Sequence, residues 1–434
     1  MNKSKNLIAV AVAAAFLAAP LPALAGEAEL LQKIDKLAAE LQQLKAELSA
    51  GAKKTEAVEQ RQQQLSAAVA AAPAGNAGVG VGPNTVLTGY GEVNYNRPRH
   101  DTSAAQTDVR RVVIGVQHRF DDKTKVVGEF EWEHAVTSAD DAGEAAVEQV
   151  YVERQFDNGL RGKAGLFLMP VGLLNANHEP TAFYGVERNF VETAIIPTTW
   201  REAGVGLSGE FGNGFSWDAG ITTGFDLSKW DPASTEGRDE SPLGSVHQEG
   251  MLAKSRNLSA HGALNWRGLP GLLLGGSIFT GKAGHKTPGM SELDDSRIAL
   301  YDLHARYTPG LWDLSALYAR GTISHTEQFN LLNTGAPGPI PKAFAGWYAQ
   351  AAYQLLKSGD YTLSPFVRYE QFNTAKSFAG VAPGTGVAAG ADEKVTTVGA
   401  NLRIGEGVVV KADYQKFREN NLRDRLNLGV GFSY

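Results

Sequence analysis

The end of the chain alternates between two kinds of side chain, and this alternation constrains the fold more than any other feature. One set of positions is apolar: Leu426, Leu428, Val430, Phe432 and Tyr434. The other set is small or polar: Arg425, Asn427, Gly429, Gly431 and Ser433. Because successive side chains of an extended strand point to opposite faces, this segment has one apolar and one hydrophilic face. Such a segment is typical of a strand between lipid and an aqueous lumen.

The same alternation recurs from Val86 to the C-terminus. Sixteen such runs lie at residues 86–97, 108–120, 125–137, 145–156, 161–169, 201–211, 216–224, 257–266, 271–281, 295–307, 311–324, 344–356, 361–374, 392–404, 408–417 and 425–434. Short turns rich in Gly, Asn and Asp alternate with long polar connections between the runs. The pattern predicts an all-β fold, a 16-stranded antiparallel transmembrane β-barrel over residues 86–434. A barrel of this size encloses a water-filled lumen.

The N-terminal segment has the three parts of a secretory signal. Lys3 and Lys5 supply the positive charge, residues 7–19 form a short apolar stretch, and Ala23-Leu24-Ala25 is a small-x-small cleavage site. The apolar stretch is too short for a convincing membrane anchor. We therefore predict a signal peptide at residues 1–25.

A heptad pattern follows the signal. Its apolar seam alternates spacings of four and three residues and consists of Leu30, Ile34, Leu37, Leu41, Leu44 and Leu48. This spacing favours a coiled-coil helix over residues 26–70, although an amphipathic helix packed on a globular domain is the alternative. Residues 71–85, which are rich in Ala, Gly and Pro, are predicted to be a flexible linker.

Composition excludes several classes of protein. The chain has no Cys, so disulfides, thiolate metal sites and Cys nucleophiles are absent. Lys and Arg number 41 against 47 Asp and Glu, and a net charge of −6 does not suit a nucleic-acid partner. We find no G-x-S-x-G, Walker A or H-E-x-x-H motif. We therefore expect no enzyme activity, no catalytic residues, no cofactor and no metal site.

If the apolar faces contact lipid, the hydrophilic positions face the lumen. The predicted pore-lining residues are Arg111, Arg119, Glu129, Glu131, Glu133, Tyr151, Glu153, Lys163, Arg368 and Lys411. The three glutamates of one strand face could form an acid/base pair or a cation site. We favour a polar wall balanced by nearby Arg and Lys, because pore lining already accounts for polar inward residues.

The connection at residues 170–200 is long but not low in complexity, and such loops are usually functional. We expect it to fold into the lumen and narrow it. Its predicted constriction residues are His178, Glu179, Glu187 and Arg188. Metal binding by His178 and Glu179 is the alternative, and ordinary polar contacts of the loop are the preferred interpretation.

Four parts of the chain carry a family resemblance: Gly89-Tyr90-Gly91-Glu92; the stretch 148–156 followed by Gly165-Leu166-Phe167 and Pro170-Val171-Gly172; Tyr184-Gly185-Val186-Glu187-Arg188-Asn189 followed by 203–209; and Gly431-Phe432-Ser433-Tyr434. These motifs resemble those of the phosphate-selective porin O/P family. The resemblance implies a sixteen-stranded homotrimeric porin whose loop after the fifth strand narrows the lumen. Members with an N-terminal coiled coil look similar. The terminal Tyr434 resembles the aromatic signal that barrel-assembly machinery recognises.

The sequence thus predicts an outer-membrane porin for passive diffusion of small hydrophilic solutes or ions, with anions such as phosphate among the candidates. Its expected partners are outer-membrane lipid, further copies of itself and the assembly machinery, with the coiled coil in the periplasm. The main alternative is a structural anchor whose coil binds cell wall or a periplasmic protein. A sheath around a periplasmic electron carrier is less well supported, because the long loop would occupy the lumen.

Overall fold

The computed structural model describes residues 79–434, and these form one antiparallel sheet closed on itself. Sixteen long strands make the barrel wall, and two short strands are added to it. The strands are β1 (Val79–Gly82), β2 (Thr85–Pro98), β3 (Gln106–Arg119), β4 (Thr124–Glu133), β5 (Glu144–Gln155), β6 (Arg161–Leu168), β7 (Arg201–Phe211), β8 (Phe215–Thr222), β9 (Ser259–Leu269), β10 (Leu272–Lys282), β11 (Arg297–Tyr307), β12 (Trp312–Ser324), β13 (Pro341–Tyr353), β14 (Leu356–Ser358), β15 (Tyr361–Phe378), β16 (Glu393–Ile404), β17 (Val408–Phe417) and β18 (Arg425–Ser433).

Consecutive strands of the wall are hydrogen-bonded neighbours, and short strands β1 and β14 pair with β2 and β15. Short turns join the strands at one end of the barrel, and longer connections join them at the other. The longer connections contain two short α-helices, α1 (Glu236–Asp239) and α2 (Glu327–Leu332). No helix in residues 79–434 is long and apolar enough to cross a membrane.

The barrel closes where β18 pairs with β2, with Ser433 opposite Tyr90. The backbone of Tyr434 continues this pairing by exchanging hydrogen bonds of 2.9 and 3.0 Å with Gly89. On the outer face, a Cβ atom at Gly89 would lie 2.7 Å from the Tyr434 hydroxyl, and one at Gly91 would lie 2.8 Å from the Phe432 ring. The two glycines therefore make room for the C-terminal aromatic rings at the seam.

The strand pattern read from the alternation is confirmed as a closed sixteen-strand barrel. Most predicted boundaries lie within a few residues of the observed ones. The predicted signal peptide and the coiled coil at 26–70 lie outside the described residues. The predicted linker at 71–85 needs a correction at its end, because Val79–Gly82 forms β1, whose alternating Val and Gly residues pair with β2.

The outer face of the barrel is apolar, as the alternation predicts. Phe130 and Trp132 of β4 point outward and stay 40% and 42% exposed in the isolated chain. Large aromatic residues lie on the outside near the short turns: Phe120, Phe156, Phe211, Tyr307 and Trp312. Aromatic rings at this level suit the boundary between lipid and water.

The lumen is not uniformly polar, which the alternation did not predict. An apolar wall covers the inner face of β10–β13 near the long connections. Its residues are Phe279, Ile298, Leu300, Leu317, Ile323 and Phe344, all at most 2% exposed. A polar wall lies on the inner face of β2, β3, β17 and β18. Its residues are Glu92, Asn94, Arg111, Lys411, Asp413 and Asn427.

The apolar wall is buried because parts of two connections pack against it inside the barrel. Trp200 lies with its ring centroid 4.6 Å from that of Phe279 and 5.1 Å from that of Phe225. Leu227 and Trp230 of the connection between β8 and β9 join the same cluster. Apolar inward residues therefore face other apolar residues of the protein, so this side of the lumen is filled.

Candidate pore constriction

The inserted loop, residues 170–200, leaves the wall after β6 and returns to it at β7. Asn175 joins its two ends: the side-chain amide donates to the carbonyl oxygens of Met169 and Trp200 at 2.8 Å each. The Asn175 side-chain oxygen also accepts from the Trp200 amide at 2.7 Å. One buried side chain thus fixes the width of the loop at its base.

Wall carboxylates hold the inserted loop across the lumen by accepting hydrogen bonds from its backbone amides. Asp413 accepts from Val186 at 2.6 Å. Glu370 accepts from Phe190 at 2.6 Å, and Asp302 accepts from Gly172 at 3.1 Å. Because these acceptors lie on β17, β15 and β11, the loop is attached to widely separated parts of the wall.

A buried glutamate of the loop itself organises its interior. Glu192 accepts from the amides of Leu173 and Leu174 at 2.6 and 2.7 Å. Its second oxygen accepts from Asn189 at 2.8 Å and from the hydroxyl of Tyr348, on β13, at 3.0 Å. With four donors around one carboxylate, the buried charge is satisfied.

Glycines on the inner face of β18 let the loop approach the wall closely. A Cβ atom at Gly431 would lie 2.5 Å from Pro180, and one at Gly429 would lie 3.0 Å from Val186. Larger residues at these inward positions would push the loop away from the wall. The small inward face of the last strand therefore serves the loop as well as the lumen.

His178, a predicted constriction residue, joins the loop to β2 and β5. Its Nε2 atom lies 2.7 Å from the Tyr90 hydroxyl and 3.0 Å from Glu148 Oε1, and Nδ1 lies 2.9 Å from the Asn175 carbonyl oxygen. All three groups that contact the ring are buried. Sequence alternation places Glu148 outward, but the pairing of β4 with β5 shifts by one residue between Gln149 and Val147. This bulge turns Glu148 inward beside Gln149.

Arg111 is surrounded by carboxylates, which matches the interpretation of the glutamates as a polar wall. Its guanidinium lies 2.8 Å from Glu131, 3.1 Å from Glu92 and 3.2 Å from Glu133. The third predicted glutamate, Glu129, instead accepts from Gln149 at 2.5 Å. Within residues 79–434, no group of three or more His, Asp or Glu side chains is arranged so that it could hold a metal ion.

The other predicted pore-lining residues also occupy inward positions but form local pairs rather than one ring. Lys163 pairs with Asp218 at 2.9 Å, and Glu153 pairs with Lys125 at 3.1 Å. Arg368 pairs with Glu370 at 3.0 Å beneath the loop. Tyr151 packs edge-on against Phe167, and Arg119 lies near the short turns. The contacts of Lys411 are described below.

The remaining predicted loop residues differ in their contacts. Arg188 is buried and donates to the carbonyl oxygen of His178 and to Thr199 Oγ1, both at 3.0 Å, and to Thr198. Glu187 accepts from Asn96 of β2 at 2.9 Å. Glu179 is half-buried. Sequence analysis did not predict Glu92, Glu148 or Asp413 as lumen residues. Their inward positions are seen only in their contacts with Arg111, His178 and Val186.

Two cavities lie on opposite sides of the inserted loop. The first, about 270 Å³, is on the side of the short turns, and its basic residues are Arg267, Arg306 and Arg368. The second, about 510 Å³, is on the side of the long connections. Its charged residues are Arg110, Arg111, Arg188, Arg423, Arg425, Glu92, Asp108, Glu187 and Glu240. Phe183 is the one described residue that lines both cavities.

Sequence comparison gives two matches. The family described as "Phosphate-selective porin O and P" matches residues 84–421. An uncharacterized protein of Aquifex aeolicus (strain VF5) is 32% identical over 340 residues, which cover 76% of this chain and 74% of that protein.

Structural comparison finds barrels with low sequence identity. OmpF of Salmonella typhi, in complex with daunomycin, has a TM-score of 0.55 and 14% identity, and the match covers 81% of this chain and 98% of OmpF. The outer membrane channel DcaP of Acinetobacter baumannii has a TM-score of 0.52 and 12% identity, with coverage of 83% and 100%. At these identities the likeness shows the fold.

Proposed function

The chain belongs to the phosphate-selective porin O and P family, and on this premise we propose that it lets small hydrophilic solutes and ions, anions such as phosphate among them, diffuse passively across the outer membrane. The observation that most supports this proposal is the hydrophilic lumen with a cavity on each side of an anchored inserted loop. Because the loop is held by hydrogen bonds to several strands, it limits the size of a passing solute.

The preference for anions is supported by the family description and by the arginines of both cavities. In the smaller cavity, three arginines face a single carboxylate, that of Asp313. Arg306 is paired with this aspartate at 2.6 Å and Arg368 with Glu370 at 3.0 Å, whereas Arg267 makes no ion pair within the described part of the chain. A local excess of positive charge lowers the barrier for an anion relative to a cation.

We propose the inward residues Arg111, Arg119, Glu129, Glu131, Glu133, Tyr151, Glu153, Lys163, Arg368 and Lys411 as the lining, and His178, Glu179, Glu187 and Arg188 as the constriction. Their acidic and basic groups pair across neighbouring strands, as Lys163 and Asp218 do. Such pairs create a transverse field with both signs of charge. The proposal therefore predicts moderate rather than absolute charge selection.

The location and assembly of the protein extend this proposal. The exposed apolar outer face of β4–β8 suits lipid or a second copy of the barrel, and a homotrimer is the assembly that the family implies. The heptads at 26–70 would support the trimer from the periplasm. Tyr434 would act as the assembly signal before it pairs with Gly89 in the finished seam.

The heptad seam also favours a second function, in which the coil tethers the barrel to cell wall or a periplasmic partner. Deletion of residues 26–70 separates the two functions. A tether predicts that the deleted protein still conducts while the spacing of the envelope changes. Loss of trimers without a change in spacing would instead assign the coil to assembly.

The test of the proposed channel is electrical recording from the purified protein in planar bilayers. We expect stepwise conductance and, in a salt gradient, a reversal potential that shows a moderate preference for anions. Added phosphate should reduce the chloride current if both ions use one path. A membrane that stays silent after insertion of folded protein would contradict the porin function, and a cation preference would contradict the selectivity alone.

A further inference from the structure

Phe183 occupies the boundary between the two cavities. Its side chain is 6% exposed and lines the cavity on each side of the inserted loop. Its backbone carbonyl oxygen accepts from Asn401 Nδ2 at 3.3 Å, so β16 holds the main chain at this point. A fixed backbone with a ring between two water-accessible spaces is the geometry of a side-chain gate.

The ring of Phe183 covers an ammonium group of the polar wall. Lys411 Nζ lies 3.6 Å from the ring centroid, and the Arg188 guanidinium carbon lies 5.9 Å from it on the loop itself. Lys411 is 3% exposed, and its Nζ atom makes no hydrogen bond or ion pair with residues 79–434. The face of an aromatic ring attracts a cation, so the ring stands where an anion or water would otherwise be.

The nearby carboxylates in the described part of the chain make no ion pair or hydrogen bond with the Lys411 ammonium. Asp413, two residues further along β17, accepts from the Val186 amide at 2.6 Å and from Asn427 at 2.7 Å. Glu92, on β2, is paired with Arg111 at 3.1 Å. The ammonium of Lys411 is therefore a buried donor whose hydrogen-bonding capacity is unused, which is costly unless another group satisfies it.

We propose that Phe183 is an aromatic gate and that Lys411 is the group it uncovers. With the ring in place, the two cavities are separate and the ring covers the Lys411 ammonium. When the ring rotates away, the cavities join, and a small inorganic anion takes the position of the ring beside Lys411. This inference rests on the proposed channel function and names the residue that controls passage through it.

If Phe183 only helped to pack the loop, removing another aromatic residue of the loop would raise the conductance equally. Phe190 provides this control. Phe190 stacks on Phe372 with centroids 5.2 Å apart and lies edge-on to Phe417 at 5.4 Å. It lines only the larger cavity. Phe190→Ala therefore loosens the same loop without removing the ring between the cavities.

The experiment compares wild type, Phe183→Ala, Phe183→Leu, Phe190→Ala and the double variant Phe183→Ala/Lys411→Met in planar bilayers with chloride or inorganic phosphate. Folding is checked by the heat-dependent gel mobility of the barrel. Phe183→Ala should raise single-channel conductance at least about twofold and increase the preference for anions. The double variant should keep the higher conductance and lose the added preference, and Phe183→Leu should lie between wild type and Phe183→Ala.

Three results would overturn the inference. Phe183→Ala could conduct like wild type, Phe190→Ala could produce the same increase, or the added anion preference could survive in the double variant. In each case wild-type channels would still be present, so the porin function would stand. Absence of channels in folded wild type is a separate outcome, which refutes the proposed function and with it the gate.

Discussion

The apolar wall and the polar wall belong to the same closed sheet, yet their inner faces are held by different forces. On the apolar wall, Phe279 and Phe344 are completely buried, and Trp200 packs against Phe279. On the polar wall, Asp413 accepts a loop amide and Lys411 lies against the ring of Phe183. Burial of apolar surface seals one side of the lumen near the long connections, whereas directional contacts leave the larger cavity beside the polar wall.

The comparison teaches that one barrel can use four strands of its wall to enclose a protein core and four others to border a solute path. Packed interiors have few spaces larger than a water molecule, so the apolar wall excludes ions. The polar wall presents Glu92 and Arg111 to the larger cavity, of about 510 Å³. The smaller cavity, of about 270 Å³, lies nearer the short turns and is lined by polar residues such as Arg306 and Asp313. Near the long connections, the inserted loop therefore packs against the apolar wall on one side and borders the larger cavity on the other.

The largest expected effect comes from removing a ring of the apolar wall. Phe344→Ala should lower the free energy of unfolding by about 3–5 kcal/mol, because it leaves a cavity in a packed region. Urea titration of the barrel in lipid vesicles measures this change. The matched control is Phe130→Ala on the lipid face, where lipid can fill the space. An equal loss in both variants would mean that the apolar wall is not a core.

A smaller effect is expected at the polar wall, where Asp413 is one of several groups that hold the loop. Asp413→Ala leaves the Val186 amide and the Asn427 side chain without their acceptor, at a cost of about 1–3 kcal/mol. We expect an increase in open-channel current noise because the loop moves more. Asp413→Asn keeps one acceptor oxygen and should be noisy to a lesser extent. Unchanged noise in both variants would show that this contact does not hold the loop.

The smallest effect is expected at the rim, outside both walls. Hydrogen bonds from Asn373, Lys376 and Gln371 lower the pKa of Asp392, despite the opposing effect of burial. Since the pKa of Asp392 is lower in the folded protein than in the unfolded chain, the ionised carboxylate stabilises the folded loop. This stabilisation is complete above the unfolded pKa and is lost as the pH falls through the folded pKa. Proteolysis of residues 379–392 should therefore become faster in acid, and Asp392→Asn should reduce this dependence. Cleavage that is equally fast at every pH would contradict the stabilising role of the Asp392 carboxylate.

The sequence predicted the strands well because the two-residue period is imposed by the backbone itself. It could not place Glu148, since a bulge adds one residue to β5 and reverses the expected face. A similar shift in the pairing of β2 with β3 falls at Arg110, which lines the larger cavity beside Arg111. Such register shifts depend on pairing with a neighbouring strand and leave no period in the sequence.

The apolar wall was also beyond sequence reasoning. Leu317 and Ile323 of β12 point inward, and alternation alone cannot distinguish apolar residues that face lipid from those that face a packed loop. The predicted narrowing loop was placed by its length and composition, but its contacts with Asp302, Glu370 and Asp413 join residues far apart in the chain. Only the folded barrel brings those groups together.

The central claim, that near the long connections solutes follow the polar wall while the apolar wall is sealed, has a direct test. The chain has no Cys, so a single introduced cysteine is a unique label. Asn96 lines the larger cavity, whereas Leu300 is 1% exposed on the apolar wall. During bilayer recording, a charged, membrane-impermeant thiol reagent should reduce the current of Asn96→Cys and leave that of Leu300→Cys unchanged. Block of Leu300→Cys, with Asn96→Cys unaffected, would contradict the claim.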